Sequence, residues 1–309
     1  FGSVRAIAQT FTQVTPIIFT GLAFTFAKKA TLINLGVEGQ MYMGALGAAM
    51  MGAVDLGLPM LIHLPLSILA GALFGAAYAA IVGFLKVKFG SNEVIATVML
   101  NSIAVLFVGF LLNGPLLAEG SSTAQTAKVL ETARLPRIFP QYQLTIAIFI
   151  AIAACLLIKW FIDKTTLGYE IRCVGLNAKA SETAGINIKK VLMVSMCISG
   201  AIAGLAGASQ VLGVNNRLIA GFSPGYGFDG IAVAALAADS PVGVIFSGIV
   251  FGVLRAGAME LNRNTSIPVE FVNVIQAMVV IFVSAPLLVR GILHIKNNRG
   301  SRAAATEVA

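Results

Sequence analysis

The stretch Asp163–Lys190, DKTTLGYEIRCVGLNAKASETAGINIKK, is a polar island of 28 residues between two long apolar runs. It is charged, glycine-punctuated and partly helical in pattern. Within it, Ala178-Lys179-Ala180-Ser181-Glu182-Thr183-Ala184 reads as a short helix, with Asn177 as its N-cap and Gly185 as its C-terminal stop. A short exposed helix of this kind suits docking into a groove on a partner; a solvated connector is the plainer alternative.

The rest of the chain sets the context. Of its 309 residues 58% are hydrophobic and 11% charged, and the mean hydropathy is +0.90. A soluble domain carries about 25% charged residues. The deficit runs along the whole chain, so the expected fold is all-α, a polytopic transmembrane bundle. The formal charge of +8 is therefore no sign of nucleic-acid binding, because Lys and Arg in such proteins mark cytoplasmic loops.

The apolar runs predict nine spans: Thr10–Ala27, Leu35–Val54, Leu61–Leu85, Glu93–Leu112, Leu144–Ile162, Val191–Gly213, Tyr226–Ala238, Val242–Ala258 and Val269–Val289. The seventh is too short to cross alone. With the island and the C-terminus inside, fourteen basic residues fall inside and six outside, with Arg255 inside a span. That orientation satisfies the positive-inside rule. It leaves the N-terminus outside, and one further span before Phe1 is expected in the natural protein. No cleavable signal peptide is legible. Residues 1–296 thus form the membrane domain, with 113–143 an outer loop, 163–190 a cytoplasmic segment and 297–309 a polar, disordered tail.

Small residues pattern the spans. Gly200, Gly204 and Gly207 share a helix face, and Gly71/Gly75 and Gly248/Gly252 repeat the four-residue spacing. This is ordinary close packing of membrane helices, or a sliding interface. Gly36-Val37-Glu38-Gly39 is echoed 191 residues later by Gly227-Phe228-Asp229-Gly230. Glycine-broken helices in repeated halves mark substrate paths in transporters; an acid there can equally favour a helix N-terminus. Charge at membrane depth costs about 2.5–3.5 kcal/mol on insertion scales, so Glu38, Glu93, Asp229 and Arg255 need partners or water. Capping beside Asn92 accounts for Glu93, Arg255 is expected to pair with Glu260, and Asn101 reads as a helix tie. Asn34, Glu38, Gln40, Asn92, Glu93, Asn101 and Asp229 are the candidate pathway residues.

Catalytic and metal chemistry find no footing. Cys155, Cys173 and Cys197 imply no disulfide framework. His63 and His294 stand on opposite sides of the expected topology, and no nucleophile–base arrangement stands out. No Gly-x-x-x-x-Gly-Lys-[Ser/Thr] loop occurs. Asn264-Thr-Ser266 matches a glycosylation sequon too short to carry weight. The chain is not expected to be an enzyme.

Three long motifs resemble bacterial ABC importer permeases of the branched-chain amino acid, ribose and nucleoside class. The first is the island, through Leu167, Gly168, Ile171, Arg172, Gly175, Asn177, Ala180, Ala184, Gly185 and Ile186. The second is Asn34-Leu35-Gly36-Val37-Glu38-Gly39-Gln40, and the third runs from Asn92-Glu93 to Asn101. The Gly227–Ala234 stretch continues the match. The outer Asn113-Gly114-Pro115 and Leu130–Pro136 segments are most similar to the guanosine-type nucleoside branch, which works with lipoprotein receptors. The resemblance implies a nucleoside importer subunit, with the permeases for ribose, galactose or another small polar metabolite as the nearest alternative. An ion-coupled secondary transporter is the reading from another class. The resemblance also implies partners: a second related permease, a separate cytoplasmic ATPase holding ATP and Mg, and an external lipoprotein receptor. Gly168, Arg172, Gly175, Asn177, Ala180, Ala184 and Gly185 would then couple to the ATPase. No cofactor is expected in this chain.

Overall fold

A computed structural model describes residues 3–265 together with Val274, Ala277 and Met278. Apart from those three residues, the expected ninth span lies outside the described residues, as do the tail from Asn297, His294 and the end of the sequon. By Cα packing the chain divides into Phe1–Gly257 and Ala258–Ala309. In the second unit the described part holds an Arg263–Glu260 ion pair at 3.7 Å.

Among the described residues the regular structure is helical. In chain order it comprises α1 (Val4–Lys28), α2 (Val37–Ala53), α3 (Met60–Phe89), α4 (Glu93–Asn113), α5 (Ala147–Lys164), α6 (Thr166–Leu176), α7 (Ala178–Thr183), α8 (Ile188–Ser209), α9 (Tyr226–Leu236) and α10 (Pro241–Asn264). Each span expected before residue 266 overlaps a helix. Five of these helices are long and apolar enough to cross a membrane: α1, α3, α4, α8 with its extension to Asn215, and α10. At 17 residues α2 is short, and the 11-residue α9 reaches only about 16 Å.

Packing sorts the helices into inner and outer ones. In α1, 94% of the apolar window is buried, against 28% in α3 and 22% in α4. The exposed faces of α3 and α4 carry Leu69, Leu73, Ile95, Met99, Leu106 and Phe110, as lipid contact requires. Glycines set how closely the inner helices approach. A Cβ on Gly44, Gly75, Gly204 or Gly207 would strike the backbone of a neighbouring helix, so α2, α3 and α8 meet main chain to main chain. Gly248 and Gly252 seat α10 on Ile18 and Val14 of α1.

The loop at 113–143 is anchored rather than free. Leu130 N–H donates to the Gly52 carbonyl at 2.9 Å, Val129 to Asn216 at 2.9 Å and Leu135 to Leu212 at 2.9 Å. His63, which sequence alone leaves as a border residue, is 1% exposed. It bridges Thr132 Oγ1 at 2.8 Å and the Met51 carbonyl at 3.1 Å, pinning that loop to α2 and α3.

Candidate functional site

Two places in the fold gather the polar residues singled out by sequence. The first is a junction inside the bundle. Asn101 lies eight residues along α4 from Glu93, and Thr20 lies eight residues up α1 from Lys28. Each is about 12 Å from its helix end. Asn101 receives the Gly39 N–H of α2 at 2.8 Å and donates to the Leu35 carbonyl at 2.7 Å. Thr20 donates to the Tyr226 carbonyl at the start of α9 at 2.9 Å. Both short helices therefore begin at depth, and their N-termini meet there.

Glycine makes the meeting close. A Cβ on Gly227 would sit 2.5 Å from the Glu38 nitrogen, and one on Gly230 would sit 2.6 Å from the Thr20 carbonyl carbon. The Glu38 carboxylate then receives the Gly227 N–H at 2.6 Å. Glu38, in the first turn of α2, thus satisfies an orphan donor in the first turn of α9. The two halves of the Gly-x-acid-Gly echo touch each other.

Asp229 is bound to Arg255 of α10, a partner that the sequence reading, which looked to Glu260, did not foresee. Local spacing could not show it, because this partner sits on another helix. Arg255 also donates to the Pro224 carbonyl at 2.7 Å and lies over the Tyr226 ring at 4.8 Å. The Tyr226 hydroxyl donates to Gln13 at 2.6 Å. Beside this group Tyr42 and Phe222 pack ring to ring at 4.7 Å. Gln13, Tyr226 and Phe222 are members that sequence reasoning missed; the echo at Gly227 was the signal that could have drawn attention to Tyr226.

The other candidate residues are engaged in holding the frame. Asn34 donates to Gln40 and to Ser199, both at 2.9 Å, and Ser199 donates on to the Ala23 carbonyl at 2.7 Å. That network ties α1, α2 and α8 together. Asn92 caps α4 at Val94 N–H, 2.9 Å, and Glu93 pairs with Lys86 at 2.7 Å. Neither reaches the junction.

The second place is the island, which folds as α6 and α7. The sequence reading named only the second helix. Three side chains cap the segment: Thr165 accepts from Gly168 N–H at 3.0 Å, Asn177 from Ala180 at 3.1 Å and Asn187 from Lys190 at 3.1 Å. Gly185, with φ +85°, ends α7, while Ile186 N–H returns to the Ser181 carbonyl at 3.0 Å. Apart from Ser181, the whole of 178–185 is exposed, Ala180 and Ala184 included, as is Arg172. A hydrogen bond with the Cys173 thiol raises the exposed Tyr169 phenol above its ordinary pKa. On its inner face α6 buries Ile171 and Val174. A Cβ on Gly168 would strike carbonyls of α5, and one on Gly175 would strike the Lys29 carbonyl just past α1. The island is therefore braced against the end of the most buried helix. Chemically, this is an exposed, capped helical segment joined to a bundle that holds a polar junction in its interior.

Residues 6–284 match the family described as branched-chain amino acid transport system / permease component. The chain is 36% identical over 304 residues to the guanosine ABC transporter permease protein NupP of Bacillus subtilis, covering 97% of this chain and 87% of that protein. It is 35% identical to the nucleoside ABC transporter permease protein NupB of Lactococcus lactis, over 94% of this chain and 82% of the relative. It is 32% identical to the glucose ABC transporter permease protein TsgB13 of Haloferax volcanii, over 89% and 75% respectively.

Proposed function

This chain belongs to the branched-chain amino acid transport system / permease component family, and from that premise we propose that it is the membrane subunit of an ABC importer for nucleosides, purine nucleosides foremost. The observation that carries the substrate class is similarity to guanosine and nucleoside permeases over more than nine-tenths of the chain. A sugar or other small polar metabolite is the second reading, favoured by the glucose permease at 32% identity. An ion-coupled transporter working alone has no such support.

The permease carries no cofactor of its own; ATP and Mg belong to a separate ATPase. A second related permease completes the conduit, and an external lipoprotein receptor delivers solute to the loop at 113–143. Residues 1–296 form the membrane domain with about nine spans, placing 163–190 and the C-terminus in the cytoplasm. In this arrangement α7 docks on the ATPase. Its push passes through α6 to the Lys29 turn, where Gly175 meets backbone directly, and so into α1. Lys28 beside that turn holds Asp239, just past α9, at 2.7 Å. Nucleotide-driven movement of the island would therefore reach α9 and the junction it shares with α2. Glu38 and Asp229 face the solute there, while Asn34, Gln40, Asn92, Glu93 and Asn101 hold the surrounding helices in register.

The test is replacement of both Ala180 and Ala184 by Arg in the whole transporter. These positions are exposed, and surface changes of this kind shift stability by only about 0.5 kcal/mol. Expected is a normal amount of permease in the membrane with ATP-driven guanosine uptake abolished. Uptake at the full rate would refute the docking role of α7.

A further inference from the structure

Among the described residues Arg255 is the cation of the junction, and its bonding is incomplete. Its side chain is 5% exposed. The two terminal nitrogens are engaged, Nη1 by Asp229 and Nη2 by the Pro224 carbonyl at 2.7 Å. Nε is buried and has no hydrogen-bond partner. An unpaired donor on a charged group at membrane depth is costly. The guanidinium is also fixed in place by the Tyr226 ring at 4.8 Å, itself held by Gln13. Directional donors held this rigidly are what a recognition site needs.

We infer that Arg255 is a specificity-determining residue of the conduit, whose Nε–H is taken by an acceptor atom of the solute as it passes the α2–α9 junction. The inference rests on the reading of the chain as a nucleoside permease. The chemistry around Arg255 narrows the solute. Two carboxylates, Glu38 and Asp229, stand with this one guanidinium, so no net positive charge is left to hold a phosphate. Both carboxylates can accept hydrogen bonds from hydroxyls. The half-buried Phe222, packed on Tyr42, offers an aromatic surface beside them, while the Tyr226 ring already carries the guanidinium. An uncharged solute with hydroxyls on one side and a flat ring bearing a carbonyl or ring-nitrogen acceptor on the other fits this set, which is the chemistry of an unphosphorylated purine nucleoside.

Uptake of labelled guanosine by the whole transporter in cells tests this, comparing wild type with Arg255→Lys. Lysine keeps the charge opposite Asp229 and removes the directional Nε donor. Competing analogues each lack one base acceptor: the 6-carbonyl, N7 or N3. Because both proteins receive solute from the same receptor, differences between them report the permease. A lost hydrogen bond to a charged donor predicts a KM about 10- to 100-fold higher in Arg255→Lys, with a smaller change in Vmax. One acceptor-deleted analogue should compete about tenfold worse than guanosine in wild type and equally well in the variant. Arg255→Gln, which keeps planar hydrogen bonding, carries the same comparison should the Lys variant be missing from the membrane on immunoblot. An unchanged KM with the same analogue ranking, or a loss confined to Vmax, overturns the inference and leaves Arg255 a structural tie. Wild-type cells that take up no guanosine overturn instead the nucleoside reading beneath it.

Discussion

Gly227→Ala probes the junction with a single added carbon. That carbon would lie 2.5 Å from the Glu38 nitrogen, 2.6 Å from its Cα and 2.7 Å from its Oε2. The first two cannot yield without moving α2, so α9 must back away. Overpacking of this kind costs about 1–3 kcal/mol. Retreat also lengthens the 2.6 Å bond from Gly227 N–H to the Glu38 carboxylate, worth about 1.5–3 kcal/mol for a charged acceptor. Alanine returns about 1 kcal/mol through its better helix propensity. The net expectation is destabilisation of about 2–5 kcal/mol, concentrated where the two short helices meet. Gly109→Ala is the matched control: it lies mid-helix in α4 with nothing within 4 Å of its added Cβ, and should stabilise by about 0.5–1 kcal/mol. Thermal denaturation of the purified complex in detergent, with guanosine uptake measured in parallel, separates the two. If Gly227→Ala melted with Gly109→Ala and transported normally, the close meeting of α2 and α9 would be wrong.

Three further outcomes follow from individual contacts. Asn101→Leu removes both partners of the α2 start, stranding the Gly39 N–H and the Leu35 carbonyl; a loss of about 2–4 kcal/mol is expected by the same denaturation assay. Ala238, a non-glycine residue at φ +50°, should gain about 1 kcal/mol on replacement by Gly, since the left-handed region penalises a Cβ by about that much; a lower melting temperature would contradict this. Asn177→Ala removes the α7 cap and should cost about 0.5–2 kcal/mol locally, read as faster hydrogen exchange across 178–185 with the membrane helices unaffected.

How much of this was legible depended on distance along the chain. The strongly apolar α3 and α4, with mean hydropathies of 2.1 and 2.4, announce themselves, and their ends carry local signals such as Asn92. The α7 caps, Asn177 and Gly185, are equally local and were readable. The first-turn acids of α2 and α9 were visible as an echo, but not their use. Glu38 caps a helix 189 residues away and Asn101 one 62 residues away, and no local pattern encodes such a partner. Arg255 shows this clearly: Asp229, 26 residues away, is brought to it only by the packing of α9 on α1 and of α10 on α1. Composition also could not say that α1 would be central and α4 peripheral, since both are apolar; the small residues and buried threonines of α1 are the faint trace of that difference. The polar motif Asn34–Gln40 looked like a path because it is polar in an apolar chain, and much of that polarity is consumed in tying helices.

The most direct measurement places a photo-crosslinking amino acid at Ala184 in the assembled transporter, with the adduct identified by mass spectrometry. The account expects a covalent bond to the cytoplasmic ATPase, its yield changing with nucleotide. An adduct with the external receptor, or none to the ATPase in a complex that still transports, would contradict it.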